Sequence, residues 1–178
     1  MGVTFERTMT EEYLAIIPLI ERLHRHFLNV VKSELDSSDI RDTNNVQAIM
    51  LFNLGDAEMT VGELTLRGCY LGSNVSYNLK KLVENGYVEQ ARSPHDRRSA
   101  HVKLTPKGRA LCDRLAAMHR RHAESLQCAI MAPDLEHAAA TLGRLERFWV
   151  RVSDERALYV RLDPLRLQRL TNSETEEA

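Results

Sequence analysis

Residues 71–108 constrain the fold more than any other stretch of the chain. They open with Gly72, a turn residue, and Ser73, whose hydroxyl suits a helix N-cap. Val75, Leu79, Leu82 and Val83 then recur at spacings that put them on one helical face. Asn74, Tyr77, Asn78, Lys80 and Lys81 are assigned to the opposite face. Asn85-Gly86 stops the helix, because both residue types tolerate the left-handed conformation of a C-terminal cap. Tyr87-Val88 and His101-Val102-Lys103-Leu104 read as short strands, with the polar turn SPHDRRS between them. A helix laid on a core, followed by a two-stranded hairpin with a basic tip, is the winged helix-turn-helix plan.

The flanking segments read as helices. Thr8 and Glu11 have capping-box spacing and open a first helix with the apolar stripe Tyr13, Leu14, Ile17, Ile20, Leu23, Phe27, Val30, Val31 and Leu35. Pro18 should kink that helix or reset its start. Asn44-Asn45 leads into a second helix over 46–54, with Val46, Ile49, Met50 and Phe52 apolar. Glu58-Met59 is a candidate strand that pairs with the hairpin. Thr60 and Glu63 form another capping box, opening a short helix before the turn Gly68-Cys69-Tyr70-Leu71-Gly72. Pro106 starts a long helix near its first position, lined by Leu111, Leu115, Met118, His122 and Ala129. After a break at Met131-Ala132-Pro133-Asp134, Leu135, Ala138, Leu142, Leu145, Trp149 and Val152 alternate spacings of three and four, a coiled-coil seam. Residues 154–170 stay apolar, with a break at Asp163-Pro164, and 171–178 are polar and acidic. The fold class is therefore mainly α with a small β wing. Its parts are an N-terminal dimerisation helix (1–43), a winged lobe (44–108), C-terminal dimerisation helices (109–170) and a disordered acidic tail (171–178).

The chain of 178 residues has a net charge of −1, which by itself does not suggest a polyanionic partner. Charge distribution does: residues 67–109 hold nine Lys/Arg against three Asp/Glu, a local +6, leaving −7 elsewhere. Such a patch is an electrostatic footprint for phosphate.

Asp96-Arg97-Arg98-Ser99-Ala100-His101-Val102-Lys103-Leu104-Thr105-Pro106-Lys107-Gly108 resembles the wing signature of the MarR family of bacterial transcription regulators: D-x-R, three residues, V-x-L-T, two residues, G. The resemblance is tight over 44–108, and the run from 64 to 78 looks like the LdtR-type branch, linked to cell-envelope control. It implies a homodimeric regulator that binds a pseudo-palindromic operator in double-stranded DNA, with half-sites about one helical turn apart. Ser73, Asn74, Ser76, Tyr77, Asn78, Lys80 and Lys81 would meet the major groove and its backbone. Arg98 would enter the minor groove, oriented by Asp96, while Arg97 faces phosphate. It also implies a small-molecule effector pocket, with Tyr13, Phe27 and Phe52 as lining candidates.

Other functions find less support. His119 and His122 stand at i, i+3, with Cys112 seven residues before His119, but three or four ligands do not converge, so no metal and no cofactor is expected. Cys69, Cys112 and Cys128 lack CxxC spacing and read as reduced thiols of a cytoplasmic protein. Cys69, just ahead of the recognition helix, leaves thiol sensing as an alternative, and a winged-helix protein-interaction module is another. There is no glycine-rich phosphate loop and no GxSxG, so no enzyme is expected. No apolar run approaches a membrane span, and the first ten residues lack an apolar signal core.

Overall fold

Three capping boxes decide where helices begin. The computed structural model describes residues 8–68, 72–92 and 100–161. In it, Thr8 caps α1 (Met9–Ser37), Asn44 caps α2 (Asn45–Leu54), and Thr60 caps α3 (Val61–Arg67). In each, the cap side chain accepts the N–H three residues on, and the Glu or Gln there accepts the cap's own N–H. Because α1 begins at Met9, ahead of Pro18, the proline does not reset its start. Strand β1 (Met59–Thr60) runs directly into the third cap.

Helix α4 (Gly72–Glu84) ends in a Schellman motif: Gly86 has φ +75°, its N–H donates to Val83 O at 3.0 Å, and Tyr87 N–H donates to Leu82 O at 2.9 Å. Strands β2 (Val88–Arg92) and β3 (Ala100–Leu104) then pair antiparallel, Val88 opposite Leu104 and Arg92 opposite Ala100. Met59 pairs with Val102, so the sheet order is β1-β3-β2. Alternation along β3 buries Val102 and Leu104 and turns Lys103 outward. Helix α5 (Pro106–Leu126) follows, and α6 (Ala132–Arg161) begins after a short turn that contains Ala129, which is therefore not part of the long helix's face.

The chain divides into two units between His122 and Ala123. The first holds one core: Val31 and Leu35 of α1, Met50, Leu51 and Leu54 of α2, Leu64 of α3, Val75, Leu79 and Leu82 of α4, Val102 and Leu104 of β3, and Leu111, Leu115 and Met118 of α5. Of the stripe on α1, Val31 and Leu35 are buried in this core, while Leu14, Leu23, Phe27 and Val30 are exposed. One expectation needs correction: on α4, Val83 is exposed and does not join Val75, Leu79 and Leu82. The second unit carries α6, where Leu135, Leu142 and Val152 of the seam are exposed along with Phe148 and Val150. Among the described residues no helix is long and apolar enough to cross a membrane.

Candidate nucleic-acid interface

Helix α4 rests on the core through Val75, Leu79 and Leu82, and this fixes what it turns outward. Ser73, Asn74, Ser76, Tyr77 and Lys80 are exposed, Tyr77 at 64 %, and Lys81 stands at the margin. Asn78 is the exception to the polar face assigned from sequence. It is 9 % exposed, accepts from Gln47 Nε2 at 3.2 Å, and donates through Nδ2 to Asn74 O at 2.9 Å. Helical phase explains the correction: Asn78 lies between Val75 and Leu82 at i, i+3, i+7, so it shares their buried side.

The basic patch is narrower in space than in sequence. Lys107 Nζ binds Asp42 Oδ2 at 2.5 Å, and Arg109 is paired with Asp56. Both carboxylates come from outside the segment counted as basic. Lys103 meets Glu89 at 3.2 Å, and Arg67 Nη1 donates to Asn53 O at 3.1 Å. Lys80 and Lys81 share Glu84, at 3.8 and 2.7 Å. The hydrogen bond from Lys81 holds the Glu84 carboxyl below its usual range, while the same bond holds the Lys81 ammonium above its own. Two lysines on one carboxylate leave a net positive end on α4. Asp96, Arg97 and Arg98, the wing-tip residues, lie outside the described residues, as does Cys69.

A polar knot ties this surface to α5. Tyr87 Oη donates to Asp42 Oδ1 at 2.6 Å, Lys107 Nζ donates to Asn85 O at 2.8 Å, and the Lys107 ammonium sits 4.2 Å from the Tyr87 ring centroid. Burial disfavours the charged Asp42 carboxylate, but the hydrogen bonds from Lys107 and Tyr87 and the Lys107 charge outweigh it, so its pKa falls. Thr105 Oγ1 donates to Gly86 O at 2.7 Å, and Thr105 N–H donates to Tyr87 O at 3.1 Å. Gly108, the last fixed residue of the wing signature, lies so close to that Tyr87 carbonyl that a Cβ would come under 3.0 Å of its oxygen.

The three aromatic pocket candidates do not converge. Phe27 and Phe52 flank His119 of α5: the Phe27 ring stacks on it at 5.9 Å, and the Phe52 ring is tilted at 5.3 Å. The two phenylalanines are 39 % and 40 % exposed. Tyr13 is fourteen residues before Phe27 on the same helix, about 21 Å along its axis, and takes no part in this cluster. His119, which sequence reading did not place there, is held below the usual imidazole pKa by burial and then by the charge of His122. Burial pushes the Cys112 thiol up to about 11, helped by Asp113 and Asp56, which makes it a poor thiolate source. Among the described residues no group of three His, Cys, Asp or Glu side chains is arranged to hold a metal ion.

A three-stranded wing behind a helix with an outward polar face defines a winged-helix DNA-binding protein, and the profile of a winged helix DNA-binding domain matches residues 43–108. The exopolysaccharide II synthesis transcriptional activator ExpG of Rhizobium meliloti (strain 1021) is 39 % identical over 142 residues, covering 77 % of this chain and 71 % of its own. Among solved structures, Streptococcus pneumoniae FabT in complex with DNA has a TM-score of 0.65 at 22 % identity, covering 79 % of this chain and 99 % of its own. A mutant of MarR from E. coli complexed with operator DNA has a TM-score of 0.63 at 21 % identity, covering 78 % and 99 %. The chain belongs to the MarR family of winged helix-turn-helix transcriptional regulators.

Proposed function

We propose that the protein binds a pseudo-palindromic operator as a homodimer and releases or engages it in response to a small-molecule effector. The observation that carries this reading is the outward face of α4: Ser73, Asn74, Ser76 and Tyr77 are exposed polar side chains on a helix otherwise anchored in the core. Asparagine can pair bidentately with adenine, and hydroxyls can bond base edges or phosphate. Lys80 and Lys81 would exchange their shared Glu84 for backbone phosphates. Asp96 and Arg98 keep the roles that the wing signature suggests, Arg98 in the minor groove and Asp96 orienting it, with Arg97 on phosphate. Asn78 is reassigned from a base contact to support of the helix.

Dimerisation is supported by large apolar side chains left exposed on two helices, among them Leu19 and Leu23 on α1 and Leu135 and Leu142 on α6. The effector reading is now centred on Phe27, His119 and Phe52, a partly exposed aromatic cluster that joins α1, α2 and α5. ExpG is by name an activator of exopolysaccharide synthesis, which makes cell-surface polysaccharide genes the first candidates for regulation. The test is a map of genomic sites bound by the full chain, followed by binding of one such site to parent and Tyr77→Ala protein. A loss of roughly 1–3 kcal/mol at that site is expected. Equal binding by both would remove α4 as the reading element.

A further inference from the structure

Gln47 and Asn78 are the two buried polar side chains among the described residues, at 5 % and 9 % exposure. They come from different helices and form a single chain of hydrogen bonds. Asn44 N–H and Thr43 Oγ1 donate to Gln47 Oε1 at 3.2 and 3.1 Å. Gln47 Nε2 donates to Asn78 Oδ1 at 3.2 Å, and Asn78 Nδ2 donates to Asn74 O at 2.9 Å. Both ends are backbone: the Asn44 amide can only donate, and the Asn74 carbonyl can only accept. The orientation of both side-chain amides is therefore fixed, and no buried side-chain polar atom among the described residues is left without a partner.

The surrounding positions are apolar: Met50 and Leu51 on α2, Leu79 and Leu82 on α4. A methionine and a leucine could fill the same space without any directional demand. A buried polar pair adds little net stability over apolar residues of similar volume, and its best-attested use is to fix register. One link, Gln47 Nε2 to Asn78 Oδ1, crosses from α2 to α4, and the local links at either end hold the two side chains in place for it. The last link ends on the carbonyl of Asn74, itself on the exposed face, and Asn78 adjoins Tyr77.

We propose that Gln47 and Asn78 are positioning residues for DNA selectivity: they lock the rotation and height of α4 so that Ser73, Asn74, Ser76 and Tyr77 meet the bases in one register. This rests on the reading that the exposed face of α4 contacts bases.

The test uses the full chain and two duplexes, one selected by that chain from a randomised pool and a scrambled version of it, at one salt concentration. Gln47→Met/Asn78→Leu keeps the shape and removes the links. It also loses the acceptor for the Asn44 N–H at the α2 cap, so it should stay folded with a modestly lower melting temperature, yet its preference for the selected duplex should fall by about tenfold or more. Gln47→Glu guards against a misfolded double variant. Glutamate at this third helical position is an ordinary capping-box residue and still accepts from Asn44 and Thr43, but it cannot donate to Asn78. It too should lose preference. Undiminished preference in either folded variant overturns the proposal. If Tyr77→Ala weakens binding to the selected duplex while the pair variants keep their preference, this inference fails alone. If Tyr77→Ala and Asn74→Ala both bind like the parent, the reading of α4 fails and takes this inference with it.

Discussion

Replacing Gly108 with alanine should destabilise the protein, although alanine is the better helix former. Gly108 occupies the third residue of α5, where the exchange alone would contribute up to about 1 kcal/mol of stability. The added methyl, however, falls under 3.0 Å from the Tyr87 carbonyl oxygen and 3.2 Å from both the Tyr87 carbonyl carbon and Leu104 Cδ2. Two of these three atoms are backbone held by the Schellman motif, so no side-chain rotation relieves the clash. The first turn of α5 has to lift by roughly 1 Å, an overpacking cost of about 1–3 kcal/mol. Lifting also stretches Thr105 N–H to Tyr87 O and Lys107 Nζ to Asn85 O, each worth about 1 kcal/mol. The net expectation is a loss of about 2–4 kcal/mol. Gly62→Ala is the matched control, because among the described residues the atom its added methyl meets is Thr60 Oγ1, at an ordinary 3.8 Å. It should be neutral or stabilising by up to about 1 kcal/mol. Urea unfolding followed by circular dichroism at one fixed protein concentration compares the two. Gly108→Ala as stable as Gly62→Ala would refute the close-approach argument and with it the account of why the wing signature ends in glycine.

Thr60→Ala removes the cap of α3 and should cost about 1 kcal/mol in the same unfolding assay. Asp42 has a lowered folded pKa, so its contribution is present above the unfolded carboxylate pKa and is lost as pH falls through the folded value. Asp42→Asn should accordingly lower the melting temperature at neutral pH and flatten the acid-side decline seen in the parent. With its thiol pushed up to about 11, Cys112 should alkylate with iodoacetamide at pH 8 far more slowly than exposed Cys128, as peptide mass spectrometry would report.

What could be read from sequence was what short-range chemistry determines. The caps at Thr8 and Thr60, the stop at Asn85-Gly86 and the β3 alternation are each set by residues within a few positions of one another. The cap at Asn44 with Gln47 has the same spacing and could have been found the same way; it would have drawn attention to Gln47. Asn78 was legible by phase, but its polar side chain outweighed its position between Val75 and Leu82. The strength of the basic patch was not legible. Lys107 and Arg109 are paired with Asp42 and Asp56, which lie 65 and 53 residues away, and no local charge count sees such partners. Nor does periodicity reveal that Phe27, Phe52 and His119 meet, since they come from three helices. The family resemblance grouped Tyr13 with Phe27 and Phe52 as pocket candidates, and helical rise separates Tyr13 from them.

The central claim is that a winged lobe with an outward α4 face gives sequence-selective DNA binding. A salt titration of the full chain on a genomic site and on a scrambled duplex of equal length tests it most directly. The account predicts that both log–log plots are straight and steep from phosphate neutralisation, with the genomic site bound at least about a thousandfold more tightly throughout. Two superimposed lines, or no binding to either duplex at about 0.1 M salt, would contradict it.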